Sequence, residues 1–256
     1  MFDLSGKSIL VAGGAGYLGE AICSALAGQG AHVMIADLAA DCAVALAERL
    51  SATGGQVKAV KLDAADESSV DNAVHCTMEA FGRLDVLVNA TYGATGKKTD
   101  ELTAAEFDRA NRLNLTGTFL SARAAADAMR NGGSIILFTS MYGQVAPDPR
   151  VYFPPMNPNP VEYGVGKAGV IQMVRYLAVQ WGPRGIRVNA VSPGPFPNPH
   201  IQRDHPDFVQ RLAQKVPLGR IGASAEIASP VVFLASDESS YVNGAVINVD
   251  GGWTAW

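Results

Sequence analysis

The chain is poor in the residues that hold extracellular folds and metal sites together. Its 256 residues contain only three cysteines and four histidines. Because Cys23, Cys42 and Cys76 are widely spaced, they favour neither a disulfide framework nor a cysteine metal site, and a reducing cytoplasm is expected. Of the histidines, only His200 and His205 are close in sequence, and such a pair does not make a metal site. We therefore expect no bound metal.

Charge and long apolar runs are scarce as well. Only 17% of the residues are charged, the formal net charge is −4, and the basic residues are scattered along the chain. This distribution argues against nucleic acid as a partner. No segment reaches the ~18 apolar residues of a membrane span, and residues 1–7 carry no basic region followed by an apolar run. We expect a soluble, unprocessed cytoplasmic protein that acts on a small molecule.

The chain is rich in apolar sequence, which alternates between two patterns. Hydrophobic residues make up 48% of it, which suits one compact domain, 1–256, with a large core. Short runs rich in Val and Ile predict strands at 8–12, 31–36, 56–62, 85–89, 134–140, 187–191 and 245–249. Helical spacing predicts helices at 17–29, 41–50, 67–81, 103–130 with Thr103 as N-cap, 162–181 and 223–235. The alternation predicts an α/β fold: one doubly wound parallel sheet of the Rossmann type, about seven strands wide, with helices on both faces.

Two proline-rich stretches interrupt the alternation. Residues 147–160 contain six prolines between a predicted strand and a predicted helix, which excludes a helix or a central strand there. Residues 193–206 form a second proline-rich excursion after a predicted strand. Because open parallel sheets bind ligands at the carboxyl ends of their strands, we expect loops at about 141–162 and 193–215 to border a substrate pocket.

A glycine cluster lies between the first predicted strand and the first predicted helix. Residues 13–19 read Gly-Gly-Ala-Gly-Tyr-Leu-Gly, and glycines in this context let the backbone turn sharply and approach a pyrophosphate at the helix start. Asp37 ends the second predicted strand, where a carboxylate would bond both adenosine ribose hydroxyls and repel a 2′-phosphate. Because neither 14–15 nor 38–40 supplies an Arg or Lys, NAD is favoured over NADP. The alternatives are a tight turn without a ligand and a solvated strand end.

Tyr163 and Lys167 are four residues apart in a predicted helix, so both can serve one site. A free tyrosine has a pKa near ~10, and lowering it to neutrality requires about 4 kcal/mol in favour of the phenolate. A cation about 4 Å away at an effective dielectric of ~20 contributes that much. Lys167 could therefore make Tyr163 an acid or base near neutral pH. Alternatively, the two residues are a half-buried Tyr and a snorkelling Lys on an amphipathic helix.

Taken in order, these motifs resemble the short-chain dehydrogenase/reductase family over essentially the whole chain. The matching positions are the glycine turn, Asp63-Ala64, Asn89-Ala90, Asn114, Ser140, Tyr163 with Lys167, and Pro193-Gly194. The resemblance implies that Tyr163 is the general acid/base and that Lys167 lowers its pKa and holds the nicotinamide ribose. It also implies that Ser140 polarises the substrate oxygen and that Asn114 anchors a water in a proton relay to Lys167. Ser140 could instead be a turn residue, and Asn114 a helix residue bonded to backbone.

The resemblance further implies a set of cofactor-binding residues. They are Gly13, Gly16, Tyr17, Leu18, Gly19, Asp37, Asp63, Ala64, Asn89, Ala90, Tyr163, Lys167, Pro193 and Gly194. The chain departs from the family pattern at Tyr17, where glycine is usual. It departs again after Gly194, where Phe196-Pro197-Asn198 stands instead of the usual Thr that bonds the carboxamide.

Ser140 and Tyr163 are also about ten residues further apart than is usual in the family, and the excess is the first proline-rich stretch. This loop would add a wall to the substrate pocket. Its aromatic and apolar side chains, with one from the second stretch, are the candidate substrate contacts: Tyr152, Phe153, Met156 and Phe196. Alternatively, these side chains only pack the loops down.

The sequence thus predicts an NAD-dependent oxidoreductase that interconverts a secondary alcohol and a ketone on a sugar, a polyol or a related polar substrate. One alternative is a 3-oxoacyl-thioester reductase, which usually prefers NADPH and a basic patch. Another is a nucleotide-binding scaffold without turnover. The resemblance also implies a homo-oligomer, a tetramer or a dimer, formed through the helices that hold Asn114 and Tyr163 and through the C-terminal segment, with Trp253 and Trp256 at an interface.

Overall fold

The computed structural model describes residues 2–256, which form one sheet of parallel strands in the order β3-β2-β1-β4-β5-β6-β7. The strands are β1 Ser8–Ala12, β2 His32–Asp37, β3 Gln56–Lys61, β4 Val86–Asn89, β5 Gly133–Phe138, β6 Ile186–Pro193 and β7 Val246–Val249. The helices are α1 Tyr17–Gly28, α2 Ala40–Ser51, α3 Glu67–Phe81, α4 Ala104–Asn111, α5 Thr118–Ala128, α6 Val161–Trp181, α7 Pro199–Asp204, α8 Pro206–Lys215 and α9 Ser224–Ala235. This confirms the predicted doubly wound Rossmann-type fold.

Helices cover both faces of the sheet, as its apolar strands require. On one face, Leu10 of β1 packs in a cluster with residues of α3, α5 and α6. On the other face, Ile9 and Val11 pack in a cluster with residues of α1, α2 and α9. Because successive side chains of a strand point to opposite faces, all five residues of β1 are buried. No helix within residues 2–256 is long and apolar enough to cross a membrane.

The predicted elements are confirmed to within two residues at most ends, and β1 and α3 have the predicted bounds. The predicted helix 103–130 is resolved into three parts. Thr103 caps α4, accepting the N–H of Glu106 while the Glu106 carboxylate accepts the N–H of Thr103. A π-helical turn, Arg112–Gly117, then separates α4 from α5. Such turns are rare and occur frequently at functional sites.

The second proline-rich stretch differs from the prediction. The sequence indicates a loop, whereas the structure contains α7 and α8, each with proline as its first residue. Proline is compatible with the first helical position because the N–H it lacks would have no partner inside the helix. The first stretch, 147–160, has only one short 3-10 turn, Pro149–Val151, as regular structure.

A third apolar cluster joins the two proline-rich stretches to the C-terminal segment. Tyr142 and Val151 pack there with Phe208 and Leu212 of α8 and with Trp253. The expectation for Trp253 was therefore wrong: only 3% of it is exposed, and its own chain buries it. Trp256 is 77% exposed, and its place at an interface stays a prediction.

Candidate active site

A cleft of about 520 Å³ opens at the carboxyl ends of the strands, where the sheet order reverses between β1 and β4. It collects most of the predicted site residues: Gly13, Gly16, Tyr17, Leu18, Gly19, Asp37, Asp63, Ala64, Ala90, Ser140, Tyr163, Lys167, Pro193, Gly194 and Phe196. A second hollow, of about 640 Å³ at the amino ends of the strands, contains none of them. Two of its cations are already paired with acids, Lys7 with Asp237 and Arg83 with Asp85.

The glycine turn fits a dinucleotide by its shape. Gly13 has a φ of 78°, in the left-handed region, and a side chain at position 19 would collide with the Gly13 carbonyl oxygen. A Cβ at Gly16, by contrast, would meet no described atom closer than 3.5 Å, so the bare backbone there leaves space for a ligand. Helix α1 begins at Tyr17, and no side chain within residues 2–256 caps its first turn. Uncapped N–H groups, which attract anions, therefore border the cleft.

Asp37 closes the far end of the same cleft. Its Oδ2 accepts the N–H of Ala15 at 3.0 Å, and its Oδ1 accepts the N–H of Ala39 at 3.1 Å. The carboxylate is thereby tied to the glycine turn. Among the described residues that line the cleft, Lys167 is the only Lys or Arg, and it belongs to the opposite end. The side chain beside Asp37 is the exposed Leu38.

Tyr163 and Lys167 lie one turn apart on α6 and both line the cleft. Lys167 is 2% exposed, and its Nζ donates to the carbonyl oxygens of Phe138 at 2.9 Å and of Thr91 at 3.3 Å. Burial lowers the pKa of Lys167 to about 8. The Nζ lies 5.7 Å from the centroid of the Tyr163 ring. The predicted pair is therefore brought together in one cleft.

The residues of the chain do not by themselves produce the predicted lowering of the Tyr163 pKa. Burial raises the pKa of Tyr163, and the Ser140 hydroxyl beside it opposes this rise. Lys167 Nζ already donates to two carbonyl groups. Ser140 Oγ accepts the N–H of Tyr142 at 3.2 Å, so its own proton is directed elsewhere. This hydroxyl can thus donate to an oxygen at the phenol.

Asn114 lies in the π-helical turn behind the cleft rather than in its lining. Its Oδ1 accepts the N–H of Gly93 at 3.1 Å, and its Nδ2 donates to the Gly93 carbonyl oxygen at 2.7 Å. Asn89 is also buried behind the cleft, where its Oδ1 accepts both the N–H and the hydroxyl of Thr91. Both asparagines therefore fix the backbone that follows β4.

Three of the four candidate substrate residues lie outside the cleft lining. The Tyr152 hydroxyl hydrogen-bonds that of Tyr142, Phe153 stacks under Arg211, and Met156 packs against the third apolar cluster. Phe196 lines the cleft, and its ring fills the space that a side chain at Gly222 would occupy. Whether any of them touches a substrate stays a prediction.

Other residues that line the cleft were not singled out from the sequence. They are Leu38, Leu62, Thr91, Tyr92, Leu113, Phe138, Thr139 and Asn198. Their positions directly after strands or beside family motifs are the signal that could have found several of them. Tyr92 and Asn198 add polar groups to the mouth of the cleft. Glu162, which precedes Tyr163 and is completely buried, carries no sequence signal of its own.

The fold and the cleft define a dinucleotide-dependent oxidoreductase, because a glycine turn and a strand-end carboxylate face a Ser-Tyr-Lys constellation across one groove. The sequence profile of the family described as enoyl-(acyl carrier protein) reductase matches residues 13–254. The chain belongs to the short-chain dehydrogenase/reductase family of NAD(P)-dependent oxidoreductases.

Its relatives include enzymes of sugar and polyol oxidation. The chain is 38% identical to the D-threitol dehydrogenase of Mycolicibacterium smegmatis, over 99% of this chain and 95% of that protein. It is 35% identical to the L-rhamnose 1-dehydrogenase (NAD(P)(+)) of Azotobacter vinelandii, over 96% of each chain. The crystal structure of gox2181 superposes with a TM-score of 0.91 at 35% identity, covering 100% of this chain and 98% of that one.

Proposed function

We propose that the protein is an NAD-preferring dehydrogenase that interconverts a secondary alcohol and a ketone on a polyol or a sugar. One observation carries this proposal: Ser140, Tyr163 and Lys167 converge at one end of a cleft whose other end holds Asp37. That separation suits a long dinucleotide with its adenosine end at the carboxylate and its reactive end at the phenol.

The groove residues would hold the cofactor along its length. Asp37 would accept the adenosine ribose hydroxyls, Asp63 and Ala64 would border the adenine, and the N–H groups near Tyr17 would bind the pyrophosphate. Pro193 and Gly194, which also line the cleft, would border the nicotinamide. When bound, the nicotinamide supplies a hydride acceptor or donor at the substrate carbon.

Tyr163 is the proton carrier in this proposal. In the oxidation direction its phenolate oxygen takes the proton of the substrate hydroxyl, and in reduction the phenol returns it. Ser140 donates a hydrogen bond to the same substrate oxygen, steadying the alkoxide character that develops there. Because burial disfavours the phenolate, the Ser140 hydroxyl and the Lys167 ammonium must lower the pKa of Tyr163 for it to act as a base.

Lys167 and Asn114 support that proton transfer from behind. The Lys167 ammonium adds positive charge near the phenol and can reach a ribose hydroxyl on the cleft side. Asn114 lies in the π-helical turn that opens the helix between α4 and α5. We assign to it a role in holding a water that passes protons to Lys167.

The substrate class rests on the polar groups of the cleft mouth and on the relatives. Tyr92 and Asn198 could hydrogen-bond further hydroxyl groups of a substrate held at Ser140. The similar threitol and rhamnose dehydrogenases act on such polyhydroxylated compounds. We assign Phe196 to the pocket wall, and Tyr152, Phe153 and Met156 to the loop that closes it, so that 141–162 and 193–215 are the substrate regions of the single domain.

A homo-oligomer in the cytoplasm is part of the proposal. Helices α5 and α6 expose Phe119, Val165, Tyr176 and Val179, apolar side chains that a second copy of the chain would cover. Sizing chromatography with light scattering should give a dimer or a tetramer, and a monomer at micromolar concentration would contradict this.

The function is tested by following NADH formation over a panel of tetritols, pentitols, aldoses and cyclic secondary alcohols, each with NAD and with NADP. We expect turnover of at least one polyol or sugar, with the larger kcat/KM for NAD. Binding of NADH without turnover of any panel member would favour the nucleotide-binding scaffold. A preference for NADP would contradict the role assigned to Asp37.

A thioester reductase is the second candidate, because the matching profile is named for acyl-carrier-protein chemistry. An acyl carrier is acidic, whereas this chain has a net charge of −4 and scattered basic residues. Acetoacetyl-thioester reduction in the same assay distinguishes the two. We expect its kcat/KM to fall well below that of the best polyol.

A further inference from the structure

The segment between β4 and α4, residues 91–97, has two different sides. Its exposure alternates residue by residue, with Thr91, Gly93, Thr95 and Lys97 half-buried and the residues between them exposed. A period of two is that of an extended chain, and the chain turns at Gly96, whose φ is 69°. The segment belongs to none of the described strands, so side chains rather than a neighbouring strand must fix its register.

Two of the half-buried positions are bonded to proposed catalytic residues. The Thr91 carbonyl oxygen accepts Lys167 Nζ, and Gly93 is held through both its N–H and its carbonyl by Asn114. Between them Tyr92 projects to the other side, where it is 69% exposed and lines the cleft. The contacts that hold Thr91 and Gly93 thus determine the position of the Tyr92 ring.

The next inward position is bonded to a residue that no motif assigned. Thr95 donates its N–H at 2.9 Å and its hydroxyl at 2.7 Å to Glu162 Oε1. The Thr95 hydroxyl in turn accepts the N–H of Lys97 at 3.2 Å. Glu162 is 0% exposed and directly precedes Tyr163 on α6. Its other oxygen, Oε2, has no hydrogen-bond partner within residues 2–256.

We propose that Glu162 is a positioning residue: it fixes Thr95 and thereby holds the 91–97 segment, with Tyr92, against the catalytic helix. Burying a carboxylate is costly unless it is hydrogen-bonded, so packing alone does not explain an acid here. Both hydrogen bonds from Thr95 are accepted by Oε1. The contact therefore requires an acceptor atom at that position but does not require the second carboxylate oxygen. The inference rests on the proposed function only in that Tyr92 borders the substrate.

These contacts predict different effects for matched variants. Glu162→Ala should lower kcat/KM for the polyol about tenfold, the scale of losing hydrogen bonds to a charged group, with the KM for NAD unchanged. Glu162→Gln keeps Oε1 and should restore most of that loss. Thr95→Val should resemble Glu162→Ala, and Thr95→Ser should resemble the unmodified protein. Glu101→Ala removes an exposed acid from the same loop and serves as the control for charge.

Hydrogen exchange gives a readout that does not require any substrate. The Thr95 amide should exchange at least about tenfold faster in Glu162→Ala, because its acceptor is gone, and Glu162→Gln should restore its protection. Unchanged exchange in Glu162→Ala would overturn the inference even if the enzyme proved to act on another substrate class. A Glu162→Gln variant as impaired as Glu162→Ala would show that the charge, not the position, matters. If exchange responds as expected and no polyol is oxidised, only the proposed function fails.

Discussion

Two regions flank the cleft, a glycine side and a proline side, and different kinds of contact hold them in place. On the glycine side, comprising residues 13–19, Asp37, Asp63 and Ala64, the walls are largely backbone, and a Cβ added at Gly19 would collide with the main chain of Gly13 and Gly14. On the proline side, comprising residues 141–160, α7 and α8, side chains hold a wall that stands outside the cleft lining. Asp148 pairs with Lys215 at 2.6 Å, and Arg211 Nε donates to the Val151 carbonyl oxygen at 2.9 Å.

This difference indicates which residues around the cleft can be substituted without moving the sheet and which cannot. A wall made of backbone tolerates few substitutions, since each requires the sheet itself to move. A wall held by side-chain contacts can be rebuilt without disturbing β1 to β5. Under the proposed function, the glycine side keeps one nucleotide shape while substitutions on the proline side change the substrate.

The largest effect is expected for Tyr163→Phe, which should separate catalysis from cofactor binding. Removing the hydroxyl proposed to carry the proton should lower kcat about a thousandfold while the dissociation constant for NADH, from fluorescence titration, stays within about twofold. Tyr176→Phe, an exposed phenol on the same helix, is the control and should leave kcat unchanged. Retained turnover in Tyr163→Phe would require a different proton carrier.

The second largest effect is expected in the pH dependence of the unfolding free energy, through the titration of Lys167. Its pKa is lowered from 10.5 to about 8 by burial, so between these values the unfolded chain binds more protons than the folded one. Stability therefore rises with pH across this window and is lost as pH falls toward 8. The unfolding free energy of the native protein minus that of Lys167→Met should increase by about 3 kcal/mol from pH 8 to pH 10.5.

Urea denaturation at several pH values measures this difference, and the exposed Lys98→Met is its control. A flat difference across the window would mean that Lys167 titrates normally in the folded chain. Lys167→Met also removes the hydrogen bonds to the carbonyl groups of Phe138 and Thr91. Their loss shifts the difference in unfolding free energy by a constant and does not change its slope with pH.

A smaller effect is expected at the far end of the glycine side. Asp37→Ala combined with Leu38→Arg removes a repulsive carboxylate and adds a cation, so the ratio of kcat/KM for NADP to that for NAD should rise roughly ten- to a hundredfold. Steady-state kinetics with both cofactors measures it. Asp41→Ala, an exposed acid on α2, should leave the ratio unchanged, and an unchanged ratio in the double variant would refute the ribose argument.

The smallest effect should come from the proline side. Tyr152→Phe removes the partner of the buried Tyr142 hydroxyl and should lower the unfolding free energy by about 1–2 kcal/mol. NADH affinity should not change, because the glycine side is untouched. Fluorescence-monitored unfolding and titration check the two claims, with the fully exposed Tyr241→Phe as control. A loss of NADH affinity would show that the sides are coupled.

The sequence predicts the glycine side better than the proline side for a physical reason. Strand periodicity, the glycine turn and the Tyr163–Lys167 spacing are local signals. Helices α7 and α8 were missed because proline was weighed as a breaker, although it also starts helices. The Thr95–Glu162 contact joins residues 67 positions apart, and no local sequence pattern at either residue predicts it.

The burial of Trp253 gives the protein an optical reporter. Its indole packs in the third apolar cluster, which Tyr163 also contacts, and lies 5.3 Å from the Lys215 ammonium. Replacing Trp181 and Trp256 by phenylalanine would leave a single emitter next to the loop wall. Its emission wavelength and lifetime would then follow, in real time, any rearrangement of α8 as small molecules enter and leave.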